Sequence, residues 1–195
     1  MNSLRLILFA LLWLVLLYLL NCMIARQWKR IEPRQAILYF LAVAMIGVFG
    51  ELFLDTSYRY FVGFPLWRYN ILPIYAGYTS RYAIVVWGLY GFHLYLLHGS
   101  LGKWSIYRTR HLALIFSFEA LILEALLTLS AKVLLGDYMY YYLPGDLWHI
   151  TSIQNIPFYF ICGVIIVKTL RRFNADPMFF SALSAALLTV VIFII

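Results

Sequence analysis

A chain of 195 residues that is 65% hydrophobic and only 12% charged has too little polar surface to cover a soluble globule. Its net charge of +7, set beside long apolar runs, points to anionic lipid headgroups at a membrane surface and away from nucleic acid. The two cysteines, Cys22 and Cys162, fall inside apolar runs and exclude a disulfide framework.

The apolar runs cover residues 6–25, 36–54, 71–97, 112–135, 153–170 and 178–195, each close to the roughly 20 residues that span a bilayer. They predict an all-α polytopic membrane protein: six transmembrane helices in a single integral membrane domain, residues 1–195. The first run is too long for the apolar core of a signal peptide. It is followed by "RQWKR", where a small-residue cleavage site would stand. The second ends near Glu51, and Asp55 lies four residues further on, on the same face if the helix extends that far. Two close carboxylates suit proton handling, cation binding or acid catalysis.

The third run contains Arg81 and the fourth Glu119, Glu124 and Lys132. An intramembrane charge costs roughly 2.5 to 3.5 kcal/mol at a helix centre, so each must find a partner inside the bundle. A rise of about 1.5 Å per residue puts Arg81 and Glu124 at similar depth, near the midplane of a core about 30 Å thick. The expected pair is therefore Arg81 with Glu124. Glu119 lies about 140° around the helix from Glu124 and is either protonated or served by another group, for which His93 in the third run is a candidate.

Basic residues fall in alternate loops. Arg26, Lys29, Arg30 and Arg34 precede the second run, Lys103, Arg108 and Arg110 the fourth, and Lys168, Arg171 and Arg172 end the fifth. Those loops are expected to be cytoplasmic, which places both termini outside the inner membrane. The outward loops "DTSYRYFVGFPLWRYN" and "GDYMYYYLPGDLWHITSIQN" are dense in Tyr and Trp. An aromatic belt anchoring helix ends accounts for this composition; so does an outward pocket for an amphipathic ligand, with Trp67, Trp148 and His149 as candidates. Both loops follow a carboxylate-bearing helix, contain "LW" before Arg or His, and reach a Tyr-bearing helix through a proline. This suggests a duplicated hairpin, helices two and three matching four and five in the same orientation.

No Cys or His cluster has metal-ligand spacing, and phosphate-cradling loops and nucleophile elbows are missing from the sequence. No cofactor is expected. The run Trp67, Tyr69, Pro73, Gly77, Trp87, Gly88, Gly91, read as W-x-Y-x3-P-x3-G-x9-W-G-x2-G, resembles the small bacterial membrane proteins called putative ABC-transporter type IV, or CmpB-like. The resemblance covers helices two and three, where the motif also follows a glutamate-bearing helix. It implies a permease-like component, with a cytoplasmic ATPase or another membrane subunit as partner. Asp55 ahead of "WRYN" is similar to membrane carotenoid cyclase domains, which implies a cofactor-independent enzyme acting on an isoprenoid or lipid by carboxylate acid/base chemistry. Three classes follow: a permease-like component, such an enzyme, or a small partner of a larger membrane complex.

Overall fold

The computed structural model describes residues 3–100 and 108–193. Six helices dominate: α1 (Ser3–Ala25), α2 (Pro33–Val62), α3 (Ala83–Ser100), α4 (Thr109–Leu135), α5 (Asn155–Phe173) and α6 (Pro177–Phe193). Between α2 and α3 lie three short strands, β1 (Trp67–Tyr69), β2 (Pro73–Ile74) and β3 (Thr79–Ser80); β4 (Tyr140–Tyr142) lies between α4 and α5. Three of the helices, α1, α2 and α4, are long and apolar enough to cross a membrane. Lys103, part of the expected cytoplasmic loop, lies outside the described residues.

Helix boundaries follow local chemistry. Proline at the start of α2 needs no N–H partner there. Gly63 closes the helix in the left-handed region at φ 92°, its N–H bonding to Arg59 O at 2.9 Å. The helix has 30 residues and so runs about 45 Å, past Asp55, which does share a buried face with Glu51. On α1, Leu6, Phe9, Trp13, Leu17 and Asn21 form one buried stripe, and the leucines at 8, 11, 12, 16, 19 and 20 face outward.

The third predicted helix is shorter than the apolar run. Residues 71–82 fold instead into the β2–β3 hairpin, with Pro73 opposite Ser80 and Ile74 opposite Thr79. The chain turns through Tyr75, Ala76 and Gly77, all at positive φ. Pro73 lacks a donor for a helical ladder, and these turn signals outweigh the run's hydropathy. Helix α3 begins only after Ser80, whose Oγ accepts the Tyr82 N–H at 2.9 Å.

The α2–α3 and α4–α5 pairs form the body of the bundle, with α1 on α3 and both α5 and α6 on α2. Both pairs cross where a glycine meets a backbone. A Cβ on Gly91 would stand 2.3 Å from Tyr39 O, and one on Gly163 would stand 3.1 Å from the Ala113 Cα; small residues at helix crossings permit this approach. At one end of the bundle β1 and β4 pair antiparallel, Trp67 opposite Tyr142 and Tyr69 opposite Tyr140. The two aromatic loops are thus joined by backbone hydrogen bonds into a single cap.

Candidate functional site

Beneath that cap, α2 delivers Glu51, which is 5% exposed. Its Oε1 accepts hydrogen bonds from the Tyr69 hydroxyl at 2.6 Å and the Trp87 Nε1 at 2.8 Å, and its Oε2 from the Thr79 hydroxyl at 2.5 Å. Glu124, from α4, accepts from the Tyr142 and Thr151 hydroxyls. The side-chain amide of Asn155 donates in turn to the Tyr142 oxygen. Burial first, and then the carboxylate alongside, pushes the phenols of Tyr69 and Tyr142 well above their ordinary value. Both phenols therefore stay protonated and serve as donors.

The two bonding sets correspond. Tyr69 follows Glu51 by 18 residues and Tyr142 follows Glu124 by 18. Thr79 follows Glu51 by 28 residues and Thr151 follows Glu124 by 27. Trp87 and Tyr159, each eight residues beyond its threonine, both line the space between the glutamates.

That space is a cavity of about 80 Å³, partly open to the outside. Among the described residues, Glu51 and Glu124 are the only charged types that line it, and no Lys, Arg or His does. Side chains alternate across a strand, so Trp67, Tyr69, Tyr140 and Tyr142 point into the cavity while Arg68 is exposed above it. Ring pairs Trp67–Tyr142 and Tyr69–Tyr140, with centroids 5.8 and 5.1 Å apart, tie the roof together. Trp13 and Leu17 of α1 close a side wall, and the Trp13 Nε1–H donates to Ser130 Oγ at 3.0 Å across the seam to α4.

Of the residues singled out in the sequence, Glu51, Glu124, Trp67 and Tyr69 meet at this cavity. Asp55 is buried one turn along α2 and accepts the Leu66 N–H at 2.6 Å and the Trp67 N–H at 3.4 Å. It thereby fixes the loop that aims β1 at the cavity. Glu119 turns away to the His93 Nε2 at 2.9 Å, as its helical angle requires. Asn21 Nδ2–H donates to Leu17 O at 2.8 Å and to His93 Nδ1 at 2.7 Å, which leaves the Nε2 hydrogen for Glu119.

Three expectations are corrected. Arg81 does not pair with Glu124: it sits beyond β3, outside α3, exposed, with its guanidinium 6.0 Å from the Phe193 ring centroid. The depth calculation assumed a helix through residues 71–82, and the β2–β3 hairpin moves Arg81 out of the bundle. Trp148 is 79% exposed and His149 also exposed, so neither converges on Trp67. Both sit at positive φ in a turn that carries them away from the cavity, and the His149 Nδ1 meets Tyr142 O.

Thr79, Trp87, Thr151, Asn155 and Tyr159 were missed by sequence reasoning. The repeated separations behind each glutamate carried the signal, but a comparison of aromatic motifs alone does not register threonines. No family model, curated protein or solved structure matches this chain at a significant level.

Proposed function

We propose that this chain is a permease-like membrane component, with six transmembrane helices in the inner membrane, both termini outside, and the Glu51–Glu124 cavity as its substrate site. The observation that carries the reading is the cavity itself. Two carboxylates, each from a separate helical hairpin, face one aromatic chamber without a basic neighbour among its lining residues. Acidic groups inside a bundle mark ion and substrate paths. In duplicated transporters the site lies between the repeats, and the matched donor sets of Glu51 and Glu124 support treating α2–β1–α3 and α4–β4–α5 as duplicated hairpins. The β1–β4 cap is then the outer gate. The outward leucines of α1 suit a lipid surround, and the expected ATPase partner belongs to this reading as well.

The test uses purified protein in liposomes with an internal pH dye and a panel of cationic, anionic and neutral amphipathic solutes. At least one solute is expected to dissipate an imposed pH gradient with the wild-type chain and not with the Glu51→Gln/Glu124→Gln variant. Flux in the absence of ATP dispenses with the ATPase. If no solute moves protons, the transport reading falls.

The mostly apolar walls favour a second reading, an acid/base enzyme acting on an isoprenoid or lipid, with one glutamate as acid and the other as base. Incubation with a membrane lipid extract, followed by mass spectrometry, distinguishes it. Glutamate-dependent conversion of one lipid would support the enzyme.

A further inference from the structure

Resting on the transport reading, we propose that the cavity between the hairpins takes a compact organic cation, exchanged for a proton held by its carboxyl pair. The walls argue for this class against the others. An anion would face two carboxylates with no Lys, Arg or His in the lining to receive it. A small metal ion needs several free oxygen ligands at close range. Here both oxygens of Glu51 are taken by Tyr69, Trp87 and Thr79, and no group of three or more His, Cys, Asp or Glu converges among the described residues. An organic cation with dispersed charge needs neither a directed bond nor a vacant oxygen. It is held by the field of carboxylates already fixed in place and by the faces of rings.

Those rings are present in number. Trp67, Tyr69, Trp87, Tyr140, Tyr142 and Tyr159 surround the two glutamates, and a space of about 80 Å³ limits the occupant to a compact cation.

The exchange follows from the same geometry. Two carboxylates in one apolar cavity cannot both stay ionised without a compensating charge. In the empty protein the compensation is a proton on one carboxyl. When a monovalent cation enters, the carboxyl O–H breaks, the proton leaves to water, and the net charge of the cavity is unchanged. The other titratable groups facing the pair are the phenols of Tyr69 on β1, Tyr140 and Tyr142 on β4, Tyr90 on α3 and Tyr159 on α5, and the buried thiol of Cys162 on α5, which are uncharged at neutral pH. Asp55 lies beyond Glu51 on the loop side, held by backbone donors, and Glu119 is paired with His93 on the other face of α4. Binding is therefore expected to tighten as pH rises and the carboxyl proton becomes easier to lose.

The experiment titrates the full chain in detergent with choline and, separately, with its neutral isostere 3,3-dimethylbutan-1-ol, following quenching of the tryptophans; Trp13, Trp67 and Trp87 line the cavity. Choline is expected to bind at least about tenfold more tightly than the alcohol at about pH 8, and to lose affinity towards about pH 6. In Glu51→Gln/Glu124→Gln the two probes should bind alike. Arg81→Leu, away from the cavity, should leave both titrations unchanged. Equal affinity of the wild-type chain for the two probes overturns the proposal, and that comparison needs no variant to fold. A cation preference that survives loss of both glutamates overturns it as well. Selective binding in detergent without flux in liposomes would instead sink transport and leave the cation site standing.

Discussion

Glu119 and Glu124 occupy the same helix, α4, and meet their surroundings in opposite ways. Glu119 faces a histidine at 2.9 Å, and that imidazole is fixed from behind by Asn21, so one polar chain links α1, α3 and α4. Glu124 accepts from Tyr142 and Thr151 and opens on a cavity. A carboxylate bonded between helices and away from any cavity acts as glue. One that lines a cavity stays available to a proton or a cation from outside. The contrast locates the working group among acidic residues that sequence alone treats alike.

The largest expected effect breaks the glue. His93→Leu strips Glu119 of its donor and the Asn21 amide of its acceptor, and should cost about 1 to 3 kcal/mol for each group left unmet. It should appear as lost monodisperse protein and a lowered melting temperature in detergent. The double variant His93→Leu/Glu119→Leu should recover much of that loss, and additive losses would mean that the two groups do not interact.

Glu124 answers differently to two substitutions. Glu124→Leu leaves the Tyr142 and Thr151 hydroxyls without their acceptor, a cost of about 1 to 3 kcal/mol. Glu124→Gln keeps an acceptor oxygen and should melt within about 1 kcal/mol of wild type while abolishing proton-coupled flux. If Glu124→Gln were instead as damaging to stability as His93→Leu, the distinction between glue and site would collapse.

Smaller again, Tyr142→Phe removes one donor to Glu124 and keeps the ring against Trp67. A loss of about 1 kcal/mol is expected in a thermal melt. The smallest effect belongs to Arg81→Leu. An exposed arginine beyond β3 should change stability by no more than about 0.5 kcal/mol, and a large loss would restore it as a buried partner.

Six helices and their approximate spans were legible in the sequence because apolar runs and basic loops report a solvent, which every residue meets independently. Legibility failed between residues 71 and 82. There, Pro73 and the turn through Tyr75, Ala76 and Gly77 override hydropathy, and an arginine counted as embedded proved exposed. The glutamates themselves were visible as costly residues, and helical angle put Glu119 on a different face from Glu124, with His93 as one candidate partner. The donors around Glu51 and Glu124 were not visible, since threonine, tyrosine and asparagine are common near helix ends and gain meaning only when aimed at one carboxylate. The two aromatic loops, which the sequence offers as parts of a duplicated hairpin, lie at one end of the bundle, where β1 and β4 pair.

By itself the sequence determined an all-α chain and placed Glu119 and Glu124 on different faces of one helix, for these depend on composition and on the fixed period of that helix. Only the tertiary structure decided that Glu51 and Glu124 share a chamber, that Arg81 is absent from it, and that Trp148 and His149 lie outside. The physical reason is that a side chain's surroundings are set by contacts between distant segments. The β1–β4 pairing fixes which tyrosines face inward, and a turn of a few residues at positive φ decides whether a charge enters the bundle or leaves it.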